Sequence, residues 1–248
     1  MANAKPKDYD LAVLAGSLNV MYANAFLQGP AELLPPDKTE EKYAQLDRAK
    51  NLYLRGRDRI LNAFDLRFKG FKEAALSGDF ETFKPYMDKL KKKDVEGLFW
   101  LCSGWLAAFS LNPLDYTITP TVYTAVQLMR QAAELEPDYN AGGIWDVLTA
   151  IYAAAPGNFG GDPEQALYAQ QQALRASEGK TIGPYLTAVT AFCIPNNDSK
   201  GFDENIEKAL AIDPDANENT RLQTIISRRK ALYLKEHKDD YIIDWGEE

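Results

Sequence analysis

An all-helical fold is predicted by two features of this 248-residue sequence. Apolar residues recur at spacings of three and four along nearly the whole chain, as they do in helices that bury one face. The sequence lacks the alternating pattern of half-buried strands and the Asn-Gly and Asp-Gly pairs of tight hairpin turns. With 46% hydrophobic residues, the chain has enough apolar side chains for a substantial core.

The first 94 residues are predicted to form extra helices that pack on the rest of the chain. The periodicity predicts four helices in this region, over residues 8–27, 38–69, 71–76 and 80–92. The helix breakers Gly29-Pro30 and Pro35-Pro36 are expected to separate the first two helices, and Gly78-Asp79 to form the turn between the last two. The lysines from Lys89 to Lys93 are interpreted as a solvated helix end.

The apolar stretch from Leu11 to Leu27 is predicted to be a buried helix. A membrane-spanning helix needs about 20 predominantly apolar residues, and Gly16, Asn19 and Asn24 interrupt this stretch. The segment from Met1 to Pro6 has no apolar signal core. The sequence therefore leaves open a cytoplasmic protein and an exported protein whose signal has been removed.

From residue 95 to residue 248, the sequence predicts helical hairpins of the tetratricopeptide type, which join the N-terminal helices in one compact unit. In the second helix of such a repeat, small residues at regular offsets let a neighbouring helix approach closely, and a proline stops the helix. These offsets occur, fully or partly, at Ala125, Met129, Ala132 and Pro137, at Phe202, Ile206, Ala209 and Pro214, and at Ala166, Gln170, Ala173 and Gly179. The aromatic pattern of a first helix occurs at Trp145, Leu148 and Tyr152. Stacked hairpins of this kind form a superhelix.

Two insertions fall where the helices of a repeat should turn, over residues 112–120 and 155–163. Long loops on one rim of a solenoid often contribute to binding. They can equally be surface features that belong to one family and bind nothing. The sequence leaves both interpretations open.

The residue content argues against most kinds of catalysis and metal binding. The sole histidine, His237, lies in a charged segment typical of a solvated helix end, and one histidine cannot form a His-x3-His zinc site. No phosphate-binding Gly-x4-Gly-Lys-Ser/Thr loop occurs. A net charge of −8 opposes binding to nucleic acid. We therefore predict no catalytic residues, no metal site and no cofactor.

An all-helical lyase or hydrolase is a competing hypothesis, since paired carboxylates on such a fold can cleave polysaccharides. Asp146 and Glu96 are its best candidates, although a structural role at an exposed helix face or helix N-terminus is the preferred interpretation of both acids. Cys102 and Cys193 lie among apolar residues and are expected to be inert core thiols. The sequence neither supports nor excludes a disulfide between them.

An apolar groove lined by aromatic side chains is the predicted binding site. The first helices of successive repeats line the inner wall of a superhelix, and such a wall suits an elongated hydrophobic or amphipathic ligand. The predicted lining residues are Trp100, Trp105, Trp145, Tyr152, Phe159 and Tyr185. Core packing remains the default interpretation of these aromatic residues, because tryptophan in this motif ordinarily fills the space between helices.

Several stretches of the sequence resemble the T component of tripartite ATP-independent periplasmic (TRAP) transporters. They are Arg48–Arg57, Phe159–Ala166, Asn219–Leu222 and Arg228–Leu232, and the similarity extends from the opening helix to Tyr241. The resemblance implies a periplasmic lipoprotein with degenerate repeats, a hydrophobic cleft or pore in each subunit, and no catalytic residues. It also implies assembly as a homotrimer and pairing with the solute-binding P component. No lipid-acceptor cysteine precedes the opening helix, so the implied anchor belongs to the full-length precursor.

The leading hypothesis is a non-catalytic accessory protein of a periplasmic solute uptake system. Its groove would receive a small hydrophobic or organic-acid ligand, and its rim would dock the P component. The alternative is a tetratricopeptide adaptor that uses the same groove to bind peptide segments. Retention of a lipid or an organic acid by the purified protein would favour the transport hypothesis.

Overall fold

A computed structural model describes residues 8–243 of the chain, and every regular element in that range is a helix. The all-α prediction is therefore confirmed. The chain divides into two compact units. Unit 1 contains the residues up to Pro137 together with Asn158–Gly160, and unit 2 contains Asp138–Gly157 together with the residues from Gly161 onward. The predictions about Met1–Pro6 lie outside the described residues.

The helices of unit 1 include two long ones that follow each other closely in the chain. They are α1 (Tyr9–Ala23), α2 (Gly29–Glu32), α3 (Thr39–Arg67), α4 (Phe71–Ala75), α5 (Phe80–Phe83), α6 (Val95–Leu111) and α7 (Val122–Leu135). A π-helical turn, Asn24–Gln28, joins α1 to α2 in one continuous helix, Tyr9–Glu32. Short 3₁₀ helices precede α3, α6 and α7.

Two helix boundaries in unit 1 differ from the predicted ones. The first helix continues through Gly29-Pro30, because Pro30 follows the π-helical turn and occupies the first turn of α2, where no N–H donor is required. The helix expected over residues 80–92 ends at Phe83 and is followed by a 3₁₀ helix, Lys84–Lys89. Pro85 accounts for this change, since it cannot donate a backbone hydrogen bond.

Glycines bring α1, α3 and α6 into backbone contact at the centre of unit 1. A Cβ placed on Gly16 would lie 2.9 Å from the carbonyl oxygen of Gly56, and one placed on Gly56 would lie 2.8 Å from the carbonyl oxygen of Gly16. A Cβ on Gly104 would lie 3.2 Å from the carbonyl oxygen of Tyr53 and 2.8 Å from the side chain of Val20. These helices therefore pack at a distance that only glycine permits.

The helix Tyr9–Glu32 has one buried and one exposed face, and both are apolar. By length and composition alone, it is the one helix of the described range that could cross a membrane. Its inner face packs on α3 and α6, and 33% of its most apolar window is buried. The large apolar residues of its outer face are half or more exposed, namely Leu14, Leu18, Tyr22 and Phe26. The predicted burial thus applies to one face only.

A buried ion pair links the end of α3 to the start of α6. Asp94 is fully buried and accepts hydrogen bonds from Nη1 of Arg67 and from the backbone N–H of Lys91, the latter at 2.9 Å. The Arg67 guanidinium lies 4.6 Å from the ring centroid of Tyr9. Burial raises the pKa of Tyr9 to about 12. Sequence analysis did not single out Asp94, because its neighbours form an exposed lysine run.

Unit 2 consists of helical hairpins around a second core. Its helices are α8 (Gly143–Ala154), α9 (Pro163–Ala176), α10 (Gly183–Ala188), α11 (Ser199–Ala211) and α12 (Arg221–Glu236), with a π-helical turn over Val189–Cys193 after α10. The core between α10, α11 and α12 includes Val189, Phe202, Ile206 and Leu234. Nη1 of Arg228 donates a hydrogen bond to the carbonyl of Leu210 near the end of α11, where helix carbonyls lack partners.

The residues at the predicted repeat offsets lie on buried helix faces. They are Ala125, Met129 and Ala132 on α7, Ala166, Gln170 and Ala173 on α9, and Phe202, Ile206 and Ala209 on α11. The two prolines follow the ends of α7 and α11, and Gly179 takes a φ of 67° after α9. The superhelical stacking of these hairpins stays a prediction, as does the division at residue 94. Within unit 1, α6 packs on α1 and α3.

Candidate functional site

The six aromatic residues predicted to line a groove are divided equally between the two units. Unit 1 holds Trp100, Trp105 and Phe159, and unit 2 holds Trp145, Tyr152 and Tyr185. Trp105 is fully buried and Tyr152 is 6% exposed, whereas the other four are half-buried. The groove itself stays a prediction.

Trp105 is a core residue of unit 1. Its indole N–H donates a hydrogen bond to Oγ1 of Thr121 at 3.0 Å. The guanidinium of Arg57 lies 5.4 Å from the centroid of its ring. Thr121 in turn donates to the carbonyl of Ile118 at 2.7 Å. Trp105 therefore connects α6 to the 3₁₀ turn before α7, a packing role that is the default interpretation from the sequence.

The least buried face of α6 carries Trp100. Residues 96, 100, 103, 107 and 110 recur at spacings of four and three, so they share this face, and each of them is half-buried or exposed. Oγ of Ser103 is inaccessible to solvent and has no hydrogen-bond partner. The half-exposed indole of Trp100 makes this face of α6 the candidate for ligand contact in unit 1.

The second candidate site lies where α8, α9 and α10 meet in unit 2. Asp146 on α8 is half-buried as a residue, but its Oδ1 is inaccessible to solvent and unpaired. A Cβ placed on Gly183 of α10 would lie 2.6 Å from Oδ2 of Asp146. Burial raises the pKa of Asp146 to about 6, and a hydrogen bond from Thr187 partly opposes this rise.

Gln170 of α9 adds a second unpaired acceptor to this part of unit 2. Its amide group donates a hydrogen bond to the carbonyl of Pro184 on α10 at 2.8 Å, while its Oε1 is buried without a partner. Unpaired buried acceptors are costly, and both oxygens are inaccessible to solvent, so Asp146 and Gln170 are polar exceptions within the packing of α8, α9 and α10. Sequence analysis identified Gln170 only as a repeat position, because its contact with α10 is not visible in a single sequence.

The groups considered for catalysis lie on, or at the end of, three different helices. Glu96 is exposed on α6 of unit 1, and Asp146 lies in unit 2. His237 stacks on Tyr233 at 4.2 Å and its Nδ1 is 3.0 Å from Oδ2 of Asp240, as expected for a helix end. No group of three or more His, Cys, Asp or Glu residues between residues 8 and 243 could hold a metal ion.

The two cysteines are buried and free. Burial raises the pKa of both thiols, and this effect is strongest for Cys102. Since the thiolate is the reactive form, such thiols are poor nucleophiles at neutral pH. No disulfide joins Cys102 to Cys193.

Two comparisons with known proteins match nearly the whole of this chain. A family model described as TRAP transporter T-component matches residues 1–242. An uncharacterized protein of Treponema pallidum (strain Nichols) is 38% identical over 239 residues, which cover 96% of this chain and 74% of that protein.

Proposed function

Because this chain belongs to the TRAP transporter T-component family, we propose that it is a non-catalytic accessory component of solute uptake. The family match over residues 1–242 is the observation that carries the proposal. It agrees with the resemblance drawn from Arg48–Arg57 and Phe159–Ala166. The family is one of transporter components and not of enzymes, so it gives no support to a lyase or hydrolase.

The proposed ligand is a small hydrophobic or organic-acid molecule held in a helical groove. The half-exposed Trp100 on α6 supports a contact surface in unit 1. In unit 2, the half-buried Trp145 packs edge-on against Tyr168 at 5.7 Å. Native mass spectrometry of the purified protein tests this part, because a retained lipid or organic acid supports it and a retained peptide would favour an adaptor.

The proposed partner is the solute-binding P component of the same transport system. T components are parts of a tripartite system, so association with another component follows from the family. The test mixes the two purified proteins and measures association by sedimentation velocity. A complex at micromolar concentrations is expected, and no complex at tens of micromolar would contradict the proposal.

Assembly and location are proposed from the family in the same way. We expect a homotrimer on the periplasmic side, with a lipid anchor in the full-length precursor. Sedimentation equilibrium of the protein alone gives the subunit number, and a monomer over the whole concentration range would contradict the trimer. Fractionation of cells that express the full-length precursor tests the location.

A further inference from the structure

Two buried oxygen atoms in unit 2 have no hydrogen-bond partner, and they lie on neighbouring helices. Oδ1 of Asp146 on α8 and Oε1 of Gln170 on α9 are both inaccessible to solvent. An amide oxygen only accepts hydrogen bonds, and so does an ionised carboxylate, so neither atom can satisfy the other while Asp146 is ionised. A buried polar atom without a partner requires an explanation, because leaving it unpaired is costly.

The register of α8 against α9 places these two side chains opposite each other. Just before α8, a Cβ placed on Gly142 would lie 2.8 Å from the carbonyl oxygen of Ala173 near the end of α9. Towards the other end of the pair, the backbone N–H of Asp162 donates to the carbonyl of Tyr152 at 2.9 Å. The two helices therefore run antiparallel, and the position one turn after Gly142 faces the position one turn before Ala173. The two unpaired side chains occupy these positions.

Both side chains also reach the first turn of α10. A Cβ placed on Gly183 would lie 2.6 Å from Oδ2 of Asp146, and Nε2 of Gln170 donates to the carbonyl of Pro184 at 2.8 Å. The bond to Pro184 fixes the orientation of the Gln170 amide, because the opposite orientation would set Oε1 against another acceptor. Gln170 is only 8% exposed, so its Oε1 needs a donor from within the protein.

We propose that Asp146 is a neutral acid whose Oδ1 donates a hydrogen bond to Oε1 of Gln170, and that this bond holds α10 on the hairpin of α8 and α9. One proton then satisfies both unpaired oxygens. We call the chain of bonds from Asp146 through Gln170 to Pro184 the proton latch. The raised pKa of Asp146, about 6, agrees with a carboxyl group that is readily protonated. The inference does not depend on the proposed function, since it uses only contacts within unit 2.

Loss of this proton to solvent opens the proton latch. Ionised Asp146 can only accept hydrogen bonds, so its Oδ1 repels Oε1 of Gln170. The Gln170 amide then turns so that Nε2 donates to the carboxylate, because a hydrogen bond to a charged acceptor is the stronger one. The carbonyl of Pro184 loses this donor, and α10 loses a polar contact with α9. Since α8 and α10 carry Trp145 and Tyr185, two predicted groove residues, a rise in pH loosens the part of unit 2 that holds them.

Other titratable groups on the elements around α8 do not account for this behaviour. They are Tyr139 before α8, Glu164, Tyr168 and Arg175 on α9, Glu178 and Lys180 between α9 and α10, Tyr185 on α10, and Cys193 after α10. The pKa of Asp146 is changed by burial and by a hydrogen bond from Thr187, and not by a charged neighbour. Arg175 forms its ion pair with Asp138 at 2.8 Å. The proton latch therefore responds to Asp146 itself.

Amide hydrogen exchange of α10 in the full chain tests the proton latch. Mass spectrometry of peptides from residues 183–194 gives protection factors at about pH 5 and about pH 8, each relative to the unfolded chain at the same pH. For the wild type, we expect protection to be roughly 5- to 10-fold lower at the higher pH, as for the loss of one hydrogen bond. Equal protection at the two pH values would overturn the inference.

Two variants hold the proton latch in opposite states. Asp146→Asn keeps a donor toward Gln170 at every pH, so the protection of α10 should stay high at both pH values. Gln170→Met removes both the acceptor and the bond to Pro184, so the protection should be low at both. Gln172→Met, at a half-buried position on the same helix, is the matched control and should keep the pH dependence of the wild type. Circular dichroism verifies that each variant remains helical.

The variants separate the proton latch from the effect of burial alone. If Gln170→Met kept the pH dependence of the wild type, the buried charge of Asp146 would be its whole cause and the latch would be wrong. If Asp146→Asn kept it, a different group would be titrating and the inference would also fail. Neither result bears on the proposed function, because association with the P component is measured separately.

Discussion

Asp146 should make the stability of unit 2 depend on pH in a defined direction. Burial raises the pKa of this carboxyl from 3.8 to about 6, because ionisation would place a charge on a desolvated carboxylate whose Oδ1 has no hydrogen-bond partner. The substitution Asp146→Asn keeps the shape of the side chain and removes its charge. This substitution should therefore raise the unfolding free energy more at high pH than at low pH.

The magnitude follows from linkage between ionisation and folding. Each unit of pKa shift corresponds to about 1.4 kcal/mol, so a rise of about two units makes ionised Asp146 cost roughly 3 kcal/mol of unfolding free energy. Well below the unfolded-state pKa of 3.8, Asp146 is protonated in both states and the cost vanishes. Between about pH 4 and pH 6 the unfolded chain ionises first, so stability falls as the pH rises, and above about pH 6 the full cost is present.

The assay is urea unfolding of the wild type and the variant at about pH 4 and about pH 8. We expect the variant to gain roughly 2–3 kcal/mol relative to the wild type between the two conditions. If the amide introduced by the substitution changes the unfolding free energy equally at both pH values, that change cancels in this comparison. Amide hydrogen exchange of peptides from α8 and α10 should show the same trend locally, since Asp146 contacts both helices.

Glu96→Gln is the matched control, because it makes the same chemical change at an exposed position on α6. An effect of Asp146→Asn that is equal at both pH values would refute the reasoning. Such a result would mean that the Asp146 carboxylate is solvated in the folded protein. Oδ1 of Asp146 would then not be a buried, unpaired acceptor.

Two further predictions concern the packing of unit 1. Gly56→Ala should lower the unfolding free energy by about 1–3 kcal/mol, since its Cβ would lie 2.8 Å from a carbonyl oxygen on α1. Thermal unfolding measures this, and Gly157→Ala is the control because a Cβ there meets nothing within 4 Å. Asp94→Ala should cost about 3–5 kcal/mol, because Arg67 would lose its buried partner. The exposed Asp37→Ala is its control, and equal unfolding midpoints for both aspartate variants would contradict the structural role of Asp94.

Local patterns in the sequence were sufficient to predict the all-helical class and the buried positions at the repeat offsets. The spacing of Ala125, Met129 and Ala132 on α7 is a property of one helix, so it can be read without knowing its neighbours. The ends of the helices were harder to predict, because they depend on more than the local spacing of apolar residues. The helix that runs through Gly29-Pro30 needed a π-helical turn, which no simple breaker rule includes.

The candidate sites were only partly predictable, because their key contacts join residues far apart in the chain. Trp100 and Trp105 looked alike in the sequence, yet one is half-buried and the other lies in the core against Thr121. The unpaired acceptor of Gln170 depends on a contact with Pro184.

The glycine contact between α1 and α3 restricts how this protein can change over time. In most helix pairs, a larger residue on one side can be accommodated when a facing residue becomes smaller. Here a Cβ added to either glycine would clash with the backbone carbonyl oxygen of the other. A backbone oxygen cannot be removed by substitution. A larger residue at Gly16 therefore cannot be compensated by a substitution at Gly56, or the reverse. It requires the two helices to move apart.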